Sequence, residues 1–281
     1  MIIYPASLVA AAIAAGEPLT RPRILWQNLA RDLLASAVSV SSETDAGPRD
    51  APLRPDTVEF WEPDALPATW QIDLGADHDV NAVGIAAHTL GTSGVTVAVA
   101  AGVAADIDTD DNLPAFSEAT VPSDDSPILF LDQLRSIRHV KITLDADNSN
   151  SLPPRIAVIY IGEALAMERP IYAGHAPITL SRQTELHQSL SRGGQFLGQS
   201  FRRHGLVGSV AFRNLTAAWV RSDFDLFVKS ARRYPYFFGW RPETHPAELA
   251  YVWTREDIHP SNTGVRNLMA VSWPMNGHDD G

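Results

Sequence analysis

Between Ile24 and Glu163 the apolar residues fall in short runs, several of them alternating with polar positions, separated by segments dense in Asp, Asn, Ser, Pro and Gly. Trp70, Ile72 and Leu74 alternate with Gln71 and Asp73, and Val95, Val97 and Val99 alternate with Thr96 and Ala98. Residues 80–87, 128–131, 140–144 and 156–161 are further apolar, largely branched runs. A period of two sends one set of side chains to a buried face, and branched residues suit a pleated surface, so each run reads as a strand. The stretches 91–94, 106–114, 122–127 and 145–154 carry the turn chemistry between them. Many short strands with little room for crossover helices predict an antiparallel sandwich.

The texture changes after a linker expected over 164–177. Residues 184–190 and 195–203 read as two strands joined by the glycine-containing turn 191–194, and 207–212 as a third. One helix is expected over 223–233: Ser222 and Asp223 suit an N-terminus, and Phe224, Phe227, Val228 and Ala231 share one face. Lys229, Arg232 and Arg233 favour its C-terminal end, and Pro235 stops it. Strands are expected again at 249–253 and near 268–275. The fold class is therefore mainly β: an N-terminal arm over 1–23, a sandwich over 24–163, the linker, and a second β-rich barrel or sandwich over 178–281 with one packed helix. A length of 281 residues fits two domains of about 100–150 residues each.

Charge separates the same two halves. Residues 1–165 carry 9 Lys/Arg against 23 Asp/Glu, and residues 166–281 carry 13 against 10. An acidic half repels a polyanion and the other half lacks a dense basic face, so no nucleic-acid partner is expected. Opposite charge on the two halves suits docking between subunits. There is no cysteine, which removes disulfides, thiolate metal sites and a Cys nucleophile. The apolar opening to Ala15 has no Lys or Arg before it and is interrupted by Pro5, so it reads as a packed arm rather than a cleaved signal. It is too short for a membrane span, which needs about 20 apolar residues.

Two resemblances follow from the motifs. The order Asn28-Leu29-Ala30, Trp61-Glu62-Pro63, Trp70-Gln71-Ile72-Asp73-Leu74-Gly75, then a Val-Gly-Ile strand ending at His88, resembles the discoidin-like, galactose-binding-like jelly roll. That fold serves glycan binding, lipid binding and architecture alike. Arg233-Tyr234-Pro235-Tyr236-Phe237-Phe238-Gly239-Trp240-Arg241-Pro242, with 245–253 and 269–277, resembles tail-tip or distal-tail proteins of long-tailed bacteriophages. This second resemblance implies a structural virion protein, made in the host cytoplasm. It would form a homo-oligomeric ring or hub with other tail or baseplate proteins and make accessory contact with a host-surface glycan. The alternative is an exported, non-catalytic carbohydrate-binding protein, and a third reading is a carboxylate-dependent glycan hydrolase.

Candidate chemistry is sparse. Trp61, Asp64 and His88 are the expected glycan-contacting residues, if loops at one end of the jelly roll gather them, and Tyr236, Phe238 and Trp240 are the expected oligomer contacts. The core or a loop is the competing place for each of them. Asp106, Asp108, Asp110 and Asp111 offer hard oxygens to Ca²⁺, yet Asp111 stands where a calcium loop needs glycine and Ser117 where it needs a bidentate glutamate. A solvated acidic loop is the expectation, with no metal and no cofactor. No Gly-x-Ser-x-Gly elbow, His-Glu-x-x-His helix, P-loop or strand-linked dinucleotide glycine motif occurs, so no enzyme activity is expected.

Overall fold

A computed structural model describes residues 1–107, 116–121, 123–124, 126–172, 174–203, 205–264 and 266–278, without the side chains of 116–118 and 201–203. In chain order the elements are β1 (Ile2–Ile3), α1 (Ala6–Ala14), β2 (Arg23–Leu25), β3 (Val38–Val40), β4 (Ala68–His88), α2 (Leu90–Ser93), β5 (Val95–Gly102), β6 (Phe116–Thr120), β7 (Ile128–Ala146), β8 (Ile156–Gly162) and β9 (Ala164–Ala166). They continue with β10 (Glu185–Leu190), β11 (Phe196–Arg203), β12 (Leu206–Thr216), α3 (Ala217–Trp219), α4 (Asp225–Ala231), β13 (Tyr236–Gly239), β14 (Leu249–Trp253), β15 (Ser261–Asn262) and β16 (Leu268–Gly277). The chain is mainly β, as its hydrophobic pattern predicts.

The jelly roll is built on two long antiparallel strands, β4 and β7, with the order β3-β4-β7-β5-β6; β8 adds to β4, and β1 runs parallel to β7. The separate runs expected at 70–74 and 80–87 are the two halves of β4. Register shifts between Asp73 and His78, and again between Val80 and Ala82, interrupt the pairing between them. Gly75 makes the first irregularity possible: its φ of 81° lies in the left-handed region, and its N–H donates to Asp73 Oδ1 at 2.8 Å. Trp70, Ile72 and Leu74 enter the core with Val97, Val99, Val140 and Ile142, while Asp73 faces out and takes a two-pronged hydrogen bond from Arg138 at 2.7 and 2.8 Å.

The second sheet has the order β12-β16-β14-β13-β2-β9, with β15 on β16. Its last two strands come from the edges of the jelly-roll segment. The expected arm over 1–23 thus ends inside this sheet, and the expected linker begins as β9, paired through Arg23↔Ala166 and Leu25↔Ala164. These three-residue strands are too short to show a period, which is why the sequence pattern missed them.

Residues of β13 alternate between two cores. Tyr236 and Phe238 face the helical side with Phe212, Phe224, Phe227 and Trp273, whereas Phe237 faces the jelly roll with Tyr160, Leu129 and Tyr251. The helical stretch begins earlier than expected, at Ala217, and a π turn over Val220–Phe224 joins α3 to α4. Thr216 is the N-cap, its hydroxyl accepting from Trp219 N at 3.4 Å, and Ser222 instead donates back to Ala218 O at 3.1 Å. Buried Ala217, Val220, Phe224, Phe227 and Ala231 carry one apolar face through the whole stretch. Among the described residues no helix is long and apolar enough to cross a membrane.

Candidate functional site

One end of the jelly roll gathers the loop between β3 and β4, the α2 turn, the segment before β7 and the loop between β7 and β8. Main-chain bonds tie them together: Trp61 N to Ile156 O at 2.9 Å, Thr89 N to Arg155 O at 3.0 Å and Leu152 N to Ser93 O at 3.0 Å. Side chains add to this. Thr92 donates to the Asp124 carboxylate through its N–H at 2.9 Å and through its hydroxyl, and Arg155 N donates to Thr89 Oγ1 at 2.8 Å.

Above this frame the Arg155 guanidinium lies 4.5 Å from the centre of the half-buried Phe60 ring, and its Nε donates to Glu62 Oε1 at 3.0 Å. A cation over an aromatic face and a charge-assisted hydrogen bond hold the three side chains as one unit. Asp64 is exposed beside Glu62 in sequence, its N–H fixed by Ser42 Oγ at 3.0 Å.

Trp61, Asp64 and His88 all belong to this end, but Trp61 and His88 are buried there and not available for the contact expected of them. Trp61 is fully buried, with its indole N–H donated to Ser42 O at 3.2 Å, so its ring faces cannot stack on a sugar. His88 is also buried; Leu90 N–H donates to its Nδ1 at 3.4 Å, and its Nε2 pairs with Ser126 O at 3.1 Å. Those two bonds assign the proton to Nε2 and commit both ring nitrogens. Trp61 and His88 form the floor, both paired with Ile156. Only Asp64 is open to solvent. The sequence reading missed Phe60, Glu62 and Arg155; Arg155 had been visible as the one basic residue between Lys141 and Arg169.

The expected oligomer contacts are corrected more sharply. Tyr236 and Phe238 are buried under the helix, with Tyr236 Oη accepting from Trp273 Nε1 at 2.9 Å, so neither can meet a partner. Burial drives the Tyr236 hydroxyl far above its ordinary pKa. Trp240 is half-buried, flanked by the His175 ring at 4.6 Å and the His245 ring at 5.0 Å, with its indole N–H on Glu248. His175 is pushed below its usual range by desolvation, against the opposing pull of Glu248.

The acidic run at 106–112 lies mostly outside the described residues, and no group of three metal-ligating side chains forms among those described. Asn148 in the neighbouring run serves its own turn, accepting from Asn150 N at 2.9 Å.

No family model and no curated protein matches this chain. Among solved structures, chitosan-binding module 1 of a chitosanase/glucanase from Paenibacillus sp. IK-5 aligns at 13% identity and a TM-score of 0.40, over 49% of this chain and 99% of that one. A CBM32 module from Clostridium perfringens, solved with GalNAc-β-1,3-galactose, aligns at 12% identity and a TM-score of 0.37, over 45% and 94%. A Ruminococcus gnavus GH29 fucosidase aligns at 16% identity and 0.38, over 50% of this chain and 27% of that chain.

Proposed function

We propose that the chain is a non-catalytic glycan-binding protein and that the loop end of its jelly roll is the binding face. The observation that carries the reading is the Phe60–Arg155–Glu62 unit, held rigid over the buried Trp61 and His88 floor, with Asp64 exposed nearby. A sugar presents paired hydroxyls and an apolar ring face. Two carboxylates accept from hydroxyls, a guanidinium donates to them, and the Phe60 edge supplies apolar contact. A single site of this kind binds weakly, and useful strength comes from repetition of the site.

The test is a glycan array probed with the full chain, followed by titration of the best hit. Arg155→Ala weakens that binding by at least about tenfold, which is ~1.4 kcal/mol. Incubation with the same glycan releases no reducing ends. An array without hits, or binding indifferent to both Arg155→Ala and Asp64→Ala, overturns the proposal.

A further inference from the structure

The β10–β11 hairpin forms a two-stranded sheet of its own. Its base is tied to the second domain by Gln183 N to Gly205 O at 2.7 Å and Val207 N to Ser181 O at 2.9 Å. Beyond that base every residue of β10 is exposed, and Leu190 and Phe196, opposite each other across the ladder, are 60% and 62% exposed. Leu186 shares the Leu190 face, and Leu197 is exposed at the register shift. A lone two-stranded hairpin is marginal in water, and several large apolar side chains exposed on one element mark a surface that something covers. The hairpin is also basic. Residues 182–203 carry four Arg against one Glu, and the rest of 166–281 is balanced at nine of each, so the entire positive excess of the second half sits here.

A matching surface exists on the acidic half. A cleft of about 420 Å³ opens between α1, β2 and β7, with Leu8, Leu131 and Leu134 in its walls and the exposed Glu17 and Glu163 at its rim; Asp132 also lines it, buried and paired with Arg135. Leu134 is half-exposed, and Arg23, its side chain turned to the Glu17 carbonyl, is the single basic residue of the lining. The Glu163 carboxyl is pushed up by partial burial first, and further by the charges of Glu17, Asp79 and Asp223.

We infer that the apolar, arginine-bearing hairpin of one copy of this chain seats in the apolar, carboxylate-rimmed cleft of the next copy. Repeated head to tail, this contact is heterologous and builds a closed ring or an open filament. This contact does not depend on the glycan-binding reading.

Light scattering on the full chain across a concentration series tests it, with two variants altered only at exposed positions. Leu190→Asp/Phe196→Asp breaks the hairpin surface, and Glu17→Arg/Leu134→Arg breaks the cleft. Wild type forms oligomers larger than dimers that weaken at high salt, because exposed charges are screened. Each variant alone is monomeric and folded, with wild-type circular dichroism. An equimolar mixture of the two variants forms a dimer and nothing larger, since one intact hairpin and one intact cleft remain. Monomeric wild type at every concentration, oligomers that persist in either folded variant, or a mixture that stays monomeric each overturns the inference.

Discussion

Replacing Gly84 by alanine puts a methyl group where the Phe237 ring already lies. A Cβ at Gly84 stands 2.8 Å from both Cε2 and Cζ of Phe237, closer than carbon atoms pack. The ring cannot retreat. It meets Tyr160 edge-on at 5.5 Å and Tyr251 at 5.1 Å, and all three residues are buried. Overpacking of this kind costs about 1–3 kcal/mol. Phe237→Ala alone costs about 3–5 kcal/mol through lost burial and a cavity. In that variant the Gly84→Ala methyl enters vacated space and removes freedom from the unfolded chain, so its effect falls to zero or to a gain of up to ~1 kcal/mol. The double-mutant cycle should therefore show a coupling of about 1–4 kcal/mol. Urea unfolding followed by tryptophan fluorescence on the four proteins reads it directly. Gly84 belongs to the jelly roll and Phe237 to the second sheet, so the coupling measures the packing of one unit on the other. Free energies additive to within about 0.5 kcal/mol would refute this account of the junction.

Tyr236→Phe leaves the buried Trp273 indole N–H without its acceptor and should cost about 1–3 kcal/mol in the same unfolding assay, with oligomeric state unchanged by light scattering. Asp73 is held well below the usual carboxylate range by Arg138 first and by the Gly75 N–H second. As pH falls the unfolded chain takes up this proton before the folded one, so the stabilisation is intact above the ordinary value of ~3.9 and drains away below it. The melting-temperature gap between wild type and Asp73→Asn should be widest near neutrality and shrink below about pH 4. Trp61→Ala should destabilise by about 3–5 kcal/mol, as expected of a floor residue, whereas Asp64→Ala should stay within ~0.5 kcal/mol of wild type; thermal melts separate the two.

The alternation of Trp70, Ile72 and Leu74, the valine run of β5 and the hairpin turn near Gly194 were all readable, because a period of two and turn residues are local signals. The interleaving of the two sheets was not, since Arg23–Leu25 and Ala164–Ala166 find their places through partners far along the chain. The helix start was misjudged for a specific reason. Ser222 and Asp223 have the composition of a cap, but they lie on the outer face of a helical stretch whose buried positions reach back to Ala217. For the candidate site the sequence singled out Trp61, Asp64 and His88, which the fold places at one end of the jelly roll, but not which of them faces solvent. Exposure at that end is decided by the Trp61–Ile156 bridge and by the salt bridge from Arg155, 93 residues from Glu62.

The central claim is that the jelly-roll loop end receives a glycan. Amide shift mapping on the isotopically labelled chain, titrated with the strongest array hit, tests it most directly. Shifts should concentrate at Phe60, Glu62, Asp64, Thr89 and Arg155 and be absent from β10 and β11. Shifts that cluster on the hairpin or around Trp240, with the loop end unmoved, would contradict it.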